Sequence, residues 1–383
     1  MEGNESFALT VALLRCMLTG ESPDTALSDG TLKSLYLCAN RYDLAQCVGY
    51  VLERAALLPD SGVGNAFRNK QMEAVWRTEQ QEYESERIGA ALEQAGIEHI
   101  FLKGAVLRRL YPQPWLRTGA DVDVLVRKEA QEKAIALLCT TLGYTLGLRT
   151  PRDARLDFPS GQHAELHIVL SGTDAAEAML SRVWDMSAPA EGKRWERVLS
   201  PELFYAYHIA HMAKHFEQGG CGVRPLMDLW LMERFMPRDR QKTDALLREA
   251  GLLVFAETAE QLKDHWFSGG VDTELARRMG EYIFDGGVYG SVEKKVAVGQ
   301  AKTGGRMKNF LARVFLPYEI IAEMYPPLKT HRWRQPYYEL CRWCRLLFRG
   351  SAKSVWAELW SNQTVSKDKI RAAETLLKDL ELL

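Results

Sequence analysis

An α+β architecture, with a small sheet-bearing block between two helical regions, is what this chain of 383 residues predicts. Three observations predict it. Helical periodicity runs through the first hundred residues. Short runs of alternating hydrophobicity, interrupted by one amphipathic helix, follow from Ile97 to Leu170. Helical periodicity then returns from Pro201 to the end. The expected division is 1–95 helical, 96–190 α/β core and 191–383 helical. Hydrophobic residues make up 46% and charged residues 26%, the balance of an ordinary globular protein rather than a disordered or fibrous one. A net charge of -1 excludes a global field toward nucleic acid or membrane, so any such attraction must be local.

The opening segment MEGNESFALTVALLRCMLTG begins acidic and lacks a basic leader, so it reads as a helix rather than a targeting signal. Phe7, Val11, Leu14 and Leu18 share its apolar face. No apolar run reaches the roughly 18 residues of a membrane span. The seven cysteines are scattered, without a disulfide framework, which points to a reduced, cytoplasmic setting. Two long helical patterns follow, LYLCANRYDLAQCVGYVLERAALLP and the stretch from Asn65 to Gly96, where glycine supplies the stop.

The texture then changes. IEHIFLKG is a short strand-like run ending in Gly104, AVLRRLY gives one or two helical turns, and DVDVLV alternates with a period of two. RKEAQEKAIALLCTTLGY is an amphipathic helix closed by Gly143. Further strands are expected around YTLGLRT, ARLDFPS and HAELHIVL. Ser200 followed by Pro201 opens the helix LFYAYHIAHMAKHF, and glycine clusters at 268–270, 286–290 and 303–305 separate later helices.

In DVDVLV, Asp121 and Asp123 point to one face of the strand while Val122, Val124 and Val126 point to the other. Two adjacent carboxylates repel, and cations relieve that cost; paired Mg²⁺ ions do so where phosphates are handled. Asp-x-Asp by itself also occurs as an inert, solvated strand end. Here Glu165 in HAELHIVL supplies a third carboxylate, with His167 on the same face. Lys103 and Gly104 form a strand-to-helix turn whose N–H groups and ammonium suit phosphate oxygens.

The order LKG, YP, Arg117, DVDVLV and LH resembles the uncharacterised nucleotidyltransferase family of the polymerase-beta superfamily, clearly over Ile97–Leu170 and more loosely into HIAHMAKHFEQGGCGVRPLMDLWLM. The resemblance implies a small polymerase-beta-like mixed sheet with helices. It also implies transfer of a nucleoside monophosphate from an NTP to an acceptor, with two divalent ions (Mg²⁺ or Mn²⁺) and release of pyrophosphate. Carried onto this sequence, it makes Asp121, Asp123 and Glu165 the catalytic and metal-binding carboxylates. Lys103, Gly104, Arg117, His167, His211 and His215 become nucleotide-binding. The turn here is Lys103-Gly104-Ala105, without the usual hydroxyl, and sixteen residues separate Gly104 from Asp121.

His208, His211 and His215 lie on one stripe of a helix, with Leu203, Tyr207, Ala210 and Lys214 on another. The histidine stripe is expected to face the cleft and to donate to phosphate when protonated; Asp228 is a further candidate for touching nucleotide or acceptor. Cys341-x-x-Cys344 falls on a stripe with Tyr337, Leu340, Leu347 and Phe348 that reads as core. From 301 to 350 there are ten Lys/Arg against three Glu, with Arg342, Arg345 and Arg349 forming a basic face, so an anionic partner is expected there. The acceptor stays open between small molecule, protein and RNA. Rival readings are a catalytically inactive nucleotide-binding scaffold, and a nucleic-acid-binding adaptor using the basic C-terminal helix. Removing both Asp121 and Asp123 carboxylates is expected to stabilise the metal-free protein.

Overall fold

The computed structural model describes residues 2–24, 27–287, 290–348 and 361–383. Four helices come first: α1 (Glu2–Thr19), α2 (Asp29–Arg41), α3 (Ala45–Arg54) and the long α4 (Gly62–Gln94). Val11, Leu14 and Leu18 of the expected α1 face are buried, and Phe7 packs on Tyr42 and Phe284. The single helix expected from Leu35 onward is instead two. Asp43 adopts a left-handed φ of 53°, which ends α2, and its carboxylate accepts from Thr118 Oγ1 (2.8 Å) and Arg224 Nη2 (2.6 Å). Helical periodicity continues across the break, so the pattern alone does not reveal it.

The sheet contains β1 (His99–Phe101), β2 (Asp121–Val126), β3 (Thr145–Arg149), β4 (Asp153–Asp157), β5 (His163–His167), β6 (Ser187–Pro189) and β7 (Glu196–Leu199). Its spatial order is β3-β4-β5-β2-β1-β7-β6. The short α5 (Gly104–Leu107) follows β1, α6 (Gln131–Leu142) follows β2, and α7 (Glu177–Ser181) lies between β5 and β6. β2 is antiparallel to β1 and parallel to β5; β7 is parallel to β1. The last two strands carry no hydrophobic alternation and were not legible in the sequence. They extend the sheet to Leu199, past the expected boundary at 190.

Each sheet face has its own partner. Val122, Val124, Val126, Ala164 and Leu166 pack with Ile88 and Leu92 of α4 and with Ala134 and Leu138 of α6. The opposite face meets a larger core that contains Ile100, Leu102 and Leu125 together with α8 (Pro201–Glu217) and α9 (Arg224–Phe235). Ser200 caps α8 by accepting from the Leu203 N–H, with proline at the first turn as expected. Helices α10 (Arg240–Glu249), α11 (Leu253–Ser268), α12 (Glu274–Gly286) and α13 (Val292–Thr303) continue the chain. They are followed by α14 (Arg306–Val314), α15 (Tyr318–Met324), α16 (Gln335–Phe348) and α17 (Lys367–Asp379). The protein is thus α+β, a mixed sheet flanked by helical regions. All seven cysteines are free, and no helix among the described residues is long and apolar enough to cross a membrane.

Candidate active site

Strand register sets the site. In the parallel pair β2–β5, Asp121 lies beside His163 and Asp123 beside Glu165, while Leu125 lies beside His167. Side chains two apart on a strand share a face, so Asp121, Asp123, His163, Glu165 and His167 all emerge on the α8 side. Ligand atoms of Asp121, His163 and Glu165 lie within 4.8 Å of one another, as do those of Asp123, Glu165 and His167. Glu165 is common to both groups. Asp123 is buried at 3% exposure, so the cluster opens to solvent through Asp121 and Glu165.

The carboxylates are not equivalent. Lys103 Nζ donates to Asp123 Oδ1 at 2.9 Å, and His167 Nε2 donates to the same oxygen at 2.7 Å. Burial works to raise Asp123, but the Lys103 ammonium and the His167 ring overcome it and hold the carboxyl well below the usual range. Burial raises Asp121, and the neighbouring Asp123 charge raises it further; burial, Asp121 and Asp123 likewise raise Glu165. Asp123 is therefore compensated by Lys103; Glu165 has only the His167 ring, 3.5 Å away, and Asp121 has no ion pair among the described residues. The three carboxylates offer the oxygen ligands that hard divalent cations such as Mg²⁺ or Mn²⁺ take, and each group adds one histidine nitrogen, from His163 or His167.

The Lys103 placement has a local cause. Lys103 takes φ 41° and ψ -107°, a sparsely populated conformation for a residue with a Cβ, at a cost on the order of 1–3 kcal/mol. That turn brings the ammonium back over β2, where the Leu102 N–H bonds the Asp123 carbonyl. Gly104 opens α5. A Cβ there would meet Arg117 Nη1 at 3.1 Å and Arg108 Nη2 at 3.3 Å, so two guanidinium groups pack against the glycine. The N–H groups of Ala105, Val106 and Leu107 already bond the Leu102 and Lys103 carbonyls.

A model of the uncharacterised nucleotidyltransferase family matches residues 29–268, more than half of the chain. The chain belongs to that family. The matched span includes the sheet, the helices α2 to α4 before it and α8 to α11 after it. No curated protein matches significantly. Among solved structures, the nucleotidyltransferase is similar to the antibiotic-resistance factor ANT(2'')-Ia, at 13% identity and a TM-score of 0.27, over 50% of this chain and 94% of that one. It is also similar to an antigenic nucleotidyltransferase-like protein from Paracoccidioides brasiliensis, at 13% identity and a TM-score of 0.33, over 52% of this chain and 97% of that one.

Other expected residues of the nucleotidyltransferase are already bonded within the protein. Arg117 makes a bidentate pair with Asp228 of α9, through Nε and Nη2, both at 2.9 Å. Tyr111 donates to the same carboxylate at 2.8 Å. Burial opposes both charges, yet the pairing raises Arg117 and lowers Asp228. Two residues expected to touch ligand thus tie α9 to the loop before β2. His208 turns away from the acidic cluster and meets the Pro225 carbonyl at 3.1 Å.

On α8 the face toward the carboxylates is Tyr207, His211 and Lys214, not the histidine stripe alone. Tyr207 interacts electrostatically with Lys103, Asp123, Asp121 and Glu165. Lys214 bonds Ser171 Oγ and senses Lys103, Arg152 and Glu165. Among the described residues no carboxylate pairs with its ammonium, and burial with the neighbouring cations lowers it. His211 Nδ1 lies 3.4 Å from the Ser171 carbonyl, and His215 Nε2 lies 3.0 Å from His211 Nε2. With His211 donating through Nδ1, its Nε2 accepts from His215, so the His211 ring is neutral. Burial and Lys103 push His211 well down, and burial with Lys214 takes His215 to about 4. Burial first, and the neighbouring Lys103 and Lys214 after it, disfavour the protonated histidine expected to donate to phosphate.

The sequence reading missed Tyr207, Lys214, His163 and Ser171. A period of seven linking Tyr207 to Lys214 was visible, but nothing in it said which stripe faces the sheet. It also missed Arg108, which donates to the Gly104 carbonyl (2.9 Å) and Gln81 Oε1 (2.7 Å), with Nη1 buried and unpartnered. Burial and nearby Arg117 lower it to about 10.

Proposed function

We propose that this nucleotidyltransferase is metal-dependent, moving a nucleoside monophosphate from an NTP to an acceptor hydroxyl with release of pyrophosphate. The observation that carries this reading is the β2–β5 register, which sets Glu165 against both aspartates, while among the described residues only Asp123 pairs with a lysine. Divalent cations held by Asp121, Asp123 and Glu165 would supply charge neutralisation and polarise the α-phosphate. The protein groups do the rest. Glu165, which stands against both aspartates at the solvent-open side of the cluster, takes the acceptor's proton. The acceptor oxygen bonds the α-phosphorus as the bond to the β-phosphate oxygen breaks. Lys214, the Lys103–Gly104 turn and the neutral His211–His215 pair line the side where the triphosphate charge falls, and Lys103 and His167 hold Asp123 ionised and oriented. Arg117 acts through its pair with Asp228, fixing the Gly104 turn.

The same reading treats the helical region 1–95, the sheet-bearing core from 96 and the helical remainder to 383 as structural parts, with the core boundary moved from 190 to the end of β7 at Leu199; it places the protein in the cytoplasm and assigns an anionic partner to 301–350. An inactive nucleotide-binding scaffold is the second reading. What favours it is the Lys103–Asp123 pair, which satisfies a metal-ligand carboxylate internally. Incubation of the pure protein with each α-labelled NTP and Mg²⁺ or Mn²⁺, across small-molecule, protein and RNA acceptors, separates the two. Label transfer with pyrophosphate supports transfer. Metal-dependent nucleotide binding without pyrophosphate in any arm supports the scaffold.

A further inference from the structure

The segment 306–345 lies outside the family match and has an unusual surface. On α14, Met307 (69% exposed) and Leu311 (45%) form an i, i+4 ridge open to solvent, continued by Phe315 (61%). On α15, Ile320 and Met324 repeat the spacing, at 44% and 42%. Trp333, at 76%, stands in the turn before α16, whose Tyr337 and Leu340 are each 62% exposed. The stripe that sequence periodicity assigned to a core is therefore open at Tyr337, Leu340 and Cys344. The segment is nevertheless a folded body. Ile321, Ala322 and Leu328 form a small core with Tyr318, Tyr325 and Tyr338, and Arg342 and Trp343 both bond the Val314 carbonyl.

Cations ring these ridges. Arg306, Lys308, Lys329, Arg332, Arg334 and Arg345 are exposed. Arg334 lies 5.1 Å from the Trp333 ring and Arg332 lies 4.4 Å from that of Tyr318. Of the three acids in the segment, Glu319, Glu323 and Glu339, the last is buried and spent on Arg342 and the Leu316 N–H, against eight Lys/Arg. The basic face expected from sequence is different: Arg342 is buried at 7%, and Arg349 lies outside the described residues.

We infer that this segment docks the protein on an anionic lipid bilayer, lying in the interface with its aliphatic and aromatic ridges among the acyl boundary and its cations on the headgroups. Two rival occupants fit less well. A second copy would set two faces of the same positive sign together. RNA would use the cations and could stack on Trp333 or Tyr337, but it offers nothing to Met307, Leu311, Ile320 and Met324. No described helix can span a membrane, so the contact is peripheral. The inference stands apart from the catalytic reading, since it uses none of the site residues.

Full-length protein is sedimented with vesicles of equimolar phosphatidylcholine and phosphatidylglycerol, and with vesicles of phosphatidylcholine alone. Binding to the mixed vesicles only, weakened by salt, is expected. Trp333→Ala combined with Leu311→Ser should lower the vesicle partition coefficient by about tenfold or more, since each removes exposed apolar area. The melting temperature should stay unchanged, because both side chains lie on the surface. No binding to mixed vesicles, equal binding to neutral ones, or an unaffected double variant overturns the inference. So does tight binding to a single-stranded RNA, or concentration-dependent dimerisation, that the same double variant abolishes while vesicle binding persists.

Discussion

Asp121 and Asp123 differ by two positions and by everything that surrounds them. Asp121→Asn removes a half-exposed carboxylate raised by burial and by Asp123, so the metal-free protein should melt at a higher temperature. Asp123→Asn leaves Lys103 and His167 facing an uncharged amide in a buried site. It should lower stability by up to about 3 kcal/mol, short of the full cost of breaking a buried pair because Lys103 keeps some solvent. The two aspartates are thus expected to act in opposite directions, not to stabilise together when removed. Calorimetry without metal checks this, and equal shifts in one direction would refute it. Both variants should lose metal-dependent nucleotide binding. Asp228 offers a pH test. Its folded pKa is depressed by Arg117, so its stabilisation is present above the ordinary carboxylate value near 3.8 and is lost as pH falls through the lower folded value. Asp228→Asn should cost about 3–5 kcal/mol at neutral pH. Urea melts should show the gap from wild type narrowing only in acid, below the ordinary value.

Elements matter here through the faces they turn to one another. α8 presents Tyr207, His211 and Lys214 to the sheet, and of these Lys214 is the cation without a carboxylate partner among the described residues. Lys214→Ala should raise the KM for NTP by about tenfold, roughly the 1.4 kcal/mol of one charge-assisted hydrogen bond. The melting temperature should move little, because its bonded partner is the Ser171 hydroxyl. A structural role would show the reverse, a lower melting temperature with normal KM. The β1–α5 turn works by exclusion. Arg117 is locked by two bonds to Asp228 and cannot yield to a Cβ at position 104. Gly104→Ala should therefore destabilise by about 1–3 kcal/mol, read by chemical denaturation.

Across the whole molecule, the loop from Pro114 to Ala120 that delivers Asp121 is held from several sides. Gln81 of α4 bonds the Gly119 carbonyl, and Cys47 of α3 bonds that of Leu116. Asp43, at the α2–α3 break, joins Thr118 to Arg224 of α9. These contacts, from the α2–α3 break to α9, all lie within the span that the family model matches. Asp43→Ala should reduce turnover several-fold while costing at most about 1 kcal/mol, since the Asp43 carboxylate is partly exposed. Activity falling only in step with unfolding would contradict this.

By itself the sequence determined what is local and periodic. Alternation in DVDVLV put Asp121 and Asp123 on one face, the same rule put Glu165 with His167, and Ser200–Pro201 marked the start of α8. It did not determine which strands are neighbours, because β2 and β5 are joined by a register of backbone bonds between segments about forty residues apart. Nor did it show that Arg117 and His167 are bonded to carboxylates of the protein, or that Tyr207 and Lys214 share the site face with His211. Partners for buried charges are chosen by three-dimensional proximity, where a long-range ion pair outweighs any local preference of the residues that form it. The same holds for α16: its stripe has the period of a buried face, and only the packing around it left Tyr337 and Leu340 in solvent.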